Sequence, residues 1–361
     1  MEPHPVGRGS VAVQEELPSI SVIIPTFNER GHIAACLDSV IQQDYAPERV
    51  EVLVVDGDST DGTAALVDRY AEETGRVRRL RNPRRIVPHA LNLGIAAARG
   101  ALIVRIDAHT TIEPEYLREG VSALQRSGAD NVGGAMSARG GGRIGEAVAL
   151  ATRSPFGIGA YFHFGTQERF VDTVYMGMWP RSVFARVGLF DEELVRNQDD
   201  EFNYRLRKQG GRILITPRMR SSYQNRQALR PLARQFYEYG LWKVRVCQKH
   251  PRQMSWRHFV PPAFVLVMLL LVPSWWLSPR WLSHKLGVLT ALAAGLYAGV
   301  VGLASWRAHQ GRRDGFGWLP IVFATIHFAW GLGFLAGLLR FASYWFRREP
   351  APPRLMVDDA A

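Results

Sequence analysis

The chain predicts an α/β domain built on a mainly parallel sheet, followed by an α-helical membrane region. Three observations carry this. Apolar strand-like runs alternate with amphipathic helical runs from Ser19 to Ile106, the pattern of a sheet covered on both faces by helices. Three of those strands end in polar clusters. Three long stretches late in the chain carry no charge. A length of 361 residues suits one large domain plus an appendage.

Residues 1–18 are polar, contain Pro and Gly, and lack an apolar h-region, so they read as a loose tail and not as a signal peptide. Ser19 to Pro25 is a β-rich run stopped by proline. Glu29 to Gln42 is amphipathic, with Ile33, Leu37, Val40 and Ile41 at helical spacing. Val50 to Val55 is a second strand, ending in Asp56, and Ser59 to Thr63 caps a helix reaching about Glu73. Val77 to Leu80 is a third strand. His89 to Arg99 is a helix with Gly100 as its C′ residue. Ala101 to Ile106 is a buried strand that runs into Asp107-Ala108-His109. Later, Asn197 to Glu201 opens a helix, Glu201 to Gln209, that Gly210-Gly211 closes.

In parallel sheets, ligands bind beyond the carboxyl ends of the strands. Here those ends carry Thr26-Phe27-Asn28-Glu29, Asp56-Gly57-Asp58 and Asp107-Ala108-His109. Turn chemistry alone accounts for the first two, but three on one edge meet the needs of a nucleotide-diphosphate pocket. Asp107 and His109 leave one strand tip together and can hold a divalent cation, Mg2+ or Mn2+, against a diphosphate. No GxGxxG loop follows a strand of the Ser19 to Ile106 run, and a GxxxxGK[ST] loop is absent from the sequence, so phosphate charge falls to a metal and to basic side chains. The carboxylates Asp199, Asp200 and Glu201 suit the positive end of a helix dipole. One of them, facing the pocket, could equally be a general base for an acceptor hydroxyl.

The formal charge is +11. Between Arg218 and Arg257 stand ten Lys/Arg and one acidic residue, Glu238, so this stretch holds about +9 of it by direct count. Nucleic acid or an anionic membrane would explain such a segment, and the residues immediately downstream decide for the membrane. Phe259–Leu277, Leu286–Trp306 and Gly315–Leu339 are uncharged and of bilayer-spanning length, roughly 17–25 residues. Trp275, Trp276, Trp281, Trp306, Trp318 and Trp345 lie near their ends, where interfacial aromatics belong. Nucleic acid is therefore not an expected partner. Cys36 and Cys247 have no metal-site or disulfide spacing and read as reduced thiols.

Through these strand ends and helix starts, the sequence resembles the family 2 glycosyltransferases, of the GT-A fold, from about Ser19 to Gly240. The resemblance rests on Ser21 to Glu29, Val54 to Thr63, Asn92 to Gly100, the Asp107 tripeptide and Asp199 to Leu206. Within the family it is most similar to the ExoA-type succinoglycan and exopolysaccharide transferases, through Arg105 to Thr110, Asp130 to Gly134 and a hydrophobic C-terminal part. The resemblance implies a nucleotide-sugar site made by Pro25, Thr26, Phe27, Glu29, Asp56, Asp58, Arg105 and Asp107, with Asp56 on the base of the nucleotide. It implies Asp107 and His109 as metal ligands, although most of the family has Asp at the place of His109. It implies Asp199 as catalytic base. The usual Glu-Asp pair is Gln198-Asp199 here, which leaves Asp200 as the alternative base.

The expected activity is inverting transfer of one sugar, from a nucleotide sugar such as UDP-glucose to a polyprenyl-diphosphate-linked acceptor. Gly177 and Trp179 are expected near the acceptor, Trp179 as a stacking plane or as a core residue. Arg234, Lys243 and Arg245 are candidates for holding a diphosphate. Processive members carry Gln-x-x-Arg-Trp, and Gln235-Phe236-Tyr237-Glu238-Tyr239 does not match it. A processive synthase and an inactive membrane scaffold subunit stand as the rival readings. The expected layout is a catalytic domain at 19–228, a basic amphipathic segment at 229–258 lying on the membrane, spans within 259–346 and a tail at 347–361. The catalytic domain should be cytoplasmic, on the inner membrane. Three spans would leave Arg347, Arg348 and Arg354 outside, against the positive-inside tendency, so either that tendency is broken or one stretch re-enters without crossing. Phe259–Leu277, with Pro261, Pro262 and Pro273, is the one suspected.

Overall fold

A computed structural model describes residues 17–157, 165–277, 279–309 and 315–347, with Pro353 and Leu355. The expected N-terminal tail lies almost wholly outside the described residues. The catalytic part opens with β1 (Ile20–Thr26), α1 (Ile33–Ile41), β2 (Val50–Asp56), α2 (Thr63–Thr74), β3 (Val77–Arg81), α3 (Val87–Ala97) and β4 (Leu102–Arg105). It continues through β5 (Thr110–Ile112), α4 (Tyr116–Ser127), β6 (Asn131–Arg139), α5 (Gly142–Arg153), β7 (Arg169–Phe170) and β8 (Tyr175–Pro180). It ends with α6 (Ser182–Val187), α7 (Gln198–Lys208) and β9 (Ile213–Gln224).

The strands make one sheet in the order β3-β2-β1-β4-β8-β6-β9-β5, with β7 also on β9. The first four are parallel. Beyond β4 the sheet is mixed: β8 runs antiparallel to β4 and β6, and β5 and β7 run antiparallel to β9. Alternation along β1 divides its side chains between two cores. Ile20, Val22 and Ile24 pack with Leu37, Val40 and Val67 on one face. Ile23, with Leu53 and Val55, packs against Leu91, Ile95, Phe184 and Phe202 on the other. The parallel half puts the ends of β1, β2 and β4 on one edge of the sheet.

Two local expectations change. The third helix ends at Ala98, which is extended, and Gly100 is not its cap. A Cβ on Gly100 would stand 2.5 Å from the Ser21 nitrogen, so this glycine serves the close approach to β1. The helix carrying Asp199 starts at Gln198, ahead of the expected Glu201, after Asn197 in the left-handed region.

The remaining chain forms α8 (Leu229–Lys249), α9 (Val260–Leu277), α10 (Arg280–His309) and α11 (Leu319–Arg340). The stretches containing α9, α10 and α11 are long and apolar enough to cross a membrane. In α9 and α10 only 11% of the most apolar window is buried in the protein, against 44% in α11. The reason is that α11 lies along α8. Leu232 and Phe236 pack with Val322, Phe323 and Ile326, and Leu241 and Val244 with Phe334 and Phe341. Small residues permit close contact: a Cβ on Gly240 would lie 2.2 Å from the Trp330 carbonyl oxygen. Helix α5 joins the same core through Ala147, Val148 and Ala151.

The segment 229–258 is therefore not a helix resting on lipid. Its apolar side, Leu232, Phe236 and Val246, is buried in protein, and Trp242 lies against Phe341. Past α11 the chain returns to the catalytic domain: the Leu189 amide donates to the Pro353 carbonyl, 2.7 Å away, and Leu355 packs on the core that contains Phe190 and Phe202.

Candidate active site

Beyond the ends of β1 and β4, and beside the start of α7, lies a cleft of about 1970 Å³. Pro25, Thr26, Phe27, Glu29, Arg105, Asp107, His109, Asp199 and Asp200 line it. Arg105 lines it between two carboxylates. Its Nε donates to Asp107 Oδ1 at 2.8 Å, and its NH1 lies 3.9 Å from Asp199 Oδ2. Burial disfavours this guanidinium's charge, but the charges of Asp107 and Asp199 prevail and hold its pKa above the usual value.

The two carboxylates are pushed apart in acidity. Burial tends to raise Asp107, but the charges of Arg105 and His109 and hydrogen bonds from Arg105 and Tyr175 hold it below the usual range. Asp199 is raised, first by the protein packed around it and then by the charge of Asp200, with Arg105 opposing. Its side chain keeps 43% of its exposure, so it is hemmed in yet reachable from the cleft. A carboxylate raised in this way is a better proton acceptor than an ordinary aspartate. Asp200 is differently engaged. Its Oδ2 accepts from Lys243 Nζ at 2.6 Å, and its carbonyl accepts from Gln253 at 3.1 Å.

His109 pairs through Nδ1 with Glu29 Oε1, 3.1 Å away, and Glu29 also meets His32 at 3.1 Å. A carboxylate on one ring nitrogen fixes the orientation of an imidazole and leaves Nε2 for a metal. Among the described residues no group of three or more His, Cys, Asp or Glu could hold a metal ion. Asp107 and His109 fit a cation that takes its other ligands from diphosphate oxygens and water.

Other expected residues fall elsewhere. Asp56 is buried, its carboxylate accepting from the Ser59 hydroxyl at 2.5 Å. Asp58 is clamped by Arg81 through bonds of 2.7 and 3.2 Å. Neither lines the cleft, although Gly57 between them does. Trp179 is a core residue: it is 4% exposed and packed edge-on against Phe184, Phe190 and Phe202, so no face is open to a sugar. Gly177 lies behind the cleft, where a Cβ would meet the Trp179 ring at 2.3 Å. Arg245 is 2% exposed, is bound to Glu193 at 2.6 Å, and does not line the cleft. Lys243 and Arg234 do line the cleft, Lys243 on Asp200 and Arg234 on Glu238 at 3.0 Å.

The part played by α8 leaves little sign in the sequence. Gln235, Tyr239 and Lys243, four apart, present one stripe of α8 to the cleft. Gln235 bonds the Tyr239 hydroxyl at 2.9 Å, and the Tyr239 carbonyl accepts from Asn197 at 3.0 Å. Glu238 takes Arg196 at 3.0 Å, and His250 meets the buried Glu201 at 2.8 Å. The segment that presents Asp199 is thus bolted to α8 on both sides of that residue. Tyr223, edge-on to His109 with ring centroids 5.2 Å apart, closes the wall.

The family model described as Glycosyl transferase family 2 matches residues 21–188. The chain is 32% identical over 337 residues to the succinoglycan biosynthesis protein ExoA of Rhizobium meliloti, covering 91% of this chain and 98% of that one. It is 29% identical over 261 residues to a dolichyl N-acetyl-α-D-glucosaminyl phosphate 3-β-D-2,3-diacetamido-2,3-dideoxy-β-D-glucuronosyltransferase of Methanococcus voltae, covering 70% and 81%. Among solved structures it is similar to the mannosyltransferase PcManGT from Pyrobaculum calidifontis, in complex with GDP-Man and Mn2+. That match has a TM-score of 0.57 and 19% identity, and covers 90% of this chain and 88% of that one. The mixed sheet followed by apolar helices is thus a GT-A fold with a helical membrane region, and the chain belongs to glycosyl transferase family 2.

Proposed function

We propose that this glycosyltransferase is an inverting, metal-dependent enzyme that moves one sugar from a nucleotide sugar to a lipid-linked acceptor. The observation that carries the reading is the placement of Arg105 between Asp107 and Asp199. It ties a low-pKa carboxylate suited to a cation to a raised one suited to take a proton. The acceptor oxygen attacks the anomeric carbon as its proton passes to Asp199. The bond from that carbon to the nucleoside diphosphate breaks on the opposite face, which inverts the centre. A divalent cation held by Asp107 and His109 would supply charge neutralisation for the leaving diphosphate. Asp200, neutralised by Lys243, is the weaker candidate for the base. A role in exopolysaccharide assembly is supported by similarity to ExoA, and a lipid-linked acceptor by the named substrate of the Methanococcus relative.

The test is a screen of nucleotide sugars against membrane extract, with mass analysis of the lipid fraction. One added hexose, abolished by excess EDTA, is expected. Long polymer would restore the processive reading, and turnover in EDTA would remove the metal.

Topology belongs to the same reading. Helices α9 and α10 leave most of their apolar surface uncovered by protein, while α11 lies against α8 and the chain returns to Leu189. We read α9 and α10 as the two crossings, with the catalytic domain and residue 347 both cytoplasmic. This shifts the non-crossing stretch from Phe259–Leu277 to α11. An impermeant maleimide on intact cells should label Ser283→Cys but label Arg347→Cys only after lysis. Labelling of Arg347→Cys from outside would mean three crossings.

A further inference from the structure

The cleft does not stop at the catalytic carboxylates. The same cavity continues past α8 into a groove between α9, α10 and α11, lined by Phe264, Leu296, Tyr297, Val300, Ile326 and Trp330. One turn, Trp256–His258, joins the two halves. On one side Gln253, just before it, is bonded to Asp200 at 3.1 Å. On the other the His258 ring stacks on Trp330, with centroids 6.3 Å apart and 22° between planes. Arg257 stands on this turn, between the start of α7 and the groove. Arg226 follows β9 and lies close enough to Tyr223 to act on its acidity. Both arginines are exposed and line the cleft, and among the described residues neither has an acidic partner.

Beyond the arginines the walls are apolar. The one polar pair is internally satisfied: the Tyr297 hydroxyl and His327 Nδ1 lie 3.1 Å apart, and His327 Nε2 meets the Phe156 carbonyl at 3.0 Å. Among the groove residues Trp330 Nε1 has no partner, so a guest in the groove meets that single buried donor, and a polar guest would lose most of the hydrogen bonds it made in water. A guest at the junction meets two uncompensated cations. The shape selects an amphiphile whose anionic head lies at the arginines and whose thin apolar tail enters the groove.

We propose that the groove seats the isoprenoid tail of a lipid diphosphate acceptor, with Arg226 and Arg257 on its diphosphate. This rests on the lipid-linked acceptor proposed above and adds where its two parts lie. Carrying the sugar on the diphosphate would bring its hydroxyl to the Asp199 end of the same cavity.

The test is a binding series on the full-length protein in neutral phosphatidylcholine nanodiscs, in EDTA. Isopentenyl, geranyl and farnesyl diphosphate are titrated against intrinsic tryptophan fluorescence. Affinity should rise at least about tenfold from the shortest to the longest tail, since each methylene leaving water contributes. Val300→Trp should flatten the series without changing the affinity for isopentenyl diphosphate. Leu296→Trp, at a 73% exposed position, should do the same if the first variant folds poorly. Arg257→Gln should weaken all three probes alike, by about fivefold or more. Bilayer partitioning is common to all variants, so a tail dependence that survives both tryptophan variants would overturn the proposal. A flat series in the unaltered protein would do so too. Neither outcome touches sugar transfer, which the extract screen tests separately.

Discussion

Asp199→Asn should lower turnover by about 10²–10⁴-fold, the usual loss when a general base is removed, while metal-dependent nucleotide binding persists. The amide keeps the shape of the side chain and its place beside Arg105 but cannot take a proton. The unaltered enzyme should lose activity on acidification at a higher pH than an ordinary aspartate would set, because Asp199 is raised by its protein surroundings and by Asp200. The residual activity of the Asn variant should lack that acid limb. Asp200→Asn should act on stability instead. Its partner Lys243 is only 5% exposed, and an ammonium there loses its counter-charge. Asp200 keeps about a third of its own exposure, which limits the cost to about 1–3 kcal/mol. A larger loss of turnover in Asp200→Asn than in Asp199→Asn would move the base to Asp200.

Gly333→Ala should disable the enzyme from outside the cleft. The new Cβ would stand 2.0 Å from the Tyr237 carbonyl oxygen. Both groups are helix backbone, so α8 and α11 must separate. Overpacking of this kind costs about 1–3 kcal/mol, and more where backbone has to move. Helix α8 also carries Glu238, Tyr239 and Lys243, which hold Arg196, Asn197 and Asp200. Lower thermal stability in detergent and lower turnover should therefore appear together. Gly299→Ala, with nothing within 4 Å of its Cβ, should leave both unchanged. An unaltered melting temperature in Gly333→Ala would mean that the two helices do not pack this closely.

The sequence is most legible where chemistry and periodicity are local. Strands β1, β2 and β4 are short apolar runs with polar ends, and a parallel arrangement brings those ends to one edge whatever the rest of the sheet does. Asp107 and His109 follow from that, while Asp199 is read from its place at a helix start and from the family resemblance. Long-range pairing is not legible. Lys243, Arg245 and Lys249 read as a lipid-seeking charge run because their partners, Asp200, Glu193 and Asp191, precede them by a whole strand and helix. Leu232 and Phe236 read as a lipid-facing stripe for a related reason: an amphipathic helix shows which side is apolar but not what covers it. Trp179 could have been core or platform from its neighbours alone. Only the positions of Phe184, Phe190 and Phe202 decide it.

Helix α8 is a party wall between the catalytic domain and α11, and this gives the order of synthesis a meaning. A ribosome finishes Asp199 and the whole nucleotide-sugar edge long before it makes α11. Until then the face of α8 bearing Leu232, Phe236, Leu241 and Val244 has no cover, and α8 is the element that braces the residues on either side of Asp199. A nascent chain thus possesses the side chains proposed for catalysis without the buttress beside Asp199. On the proposed reading, α11 completes the domain folded first, and the enzyme becomes competent once α11 has covered α8.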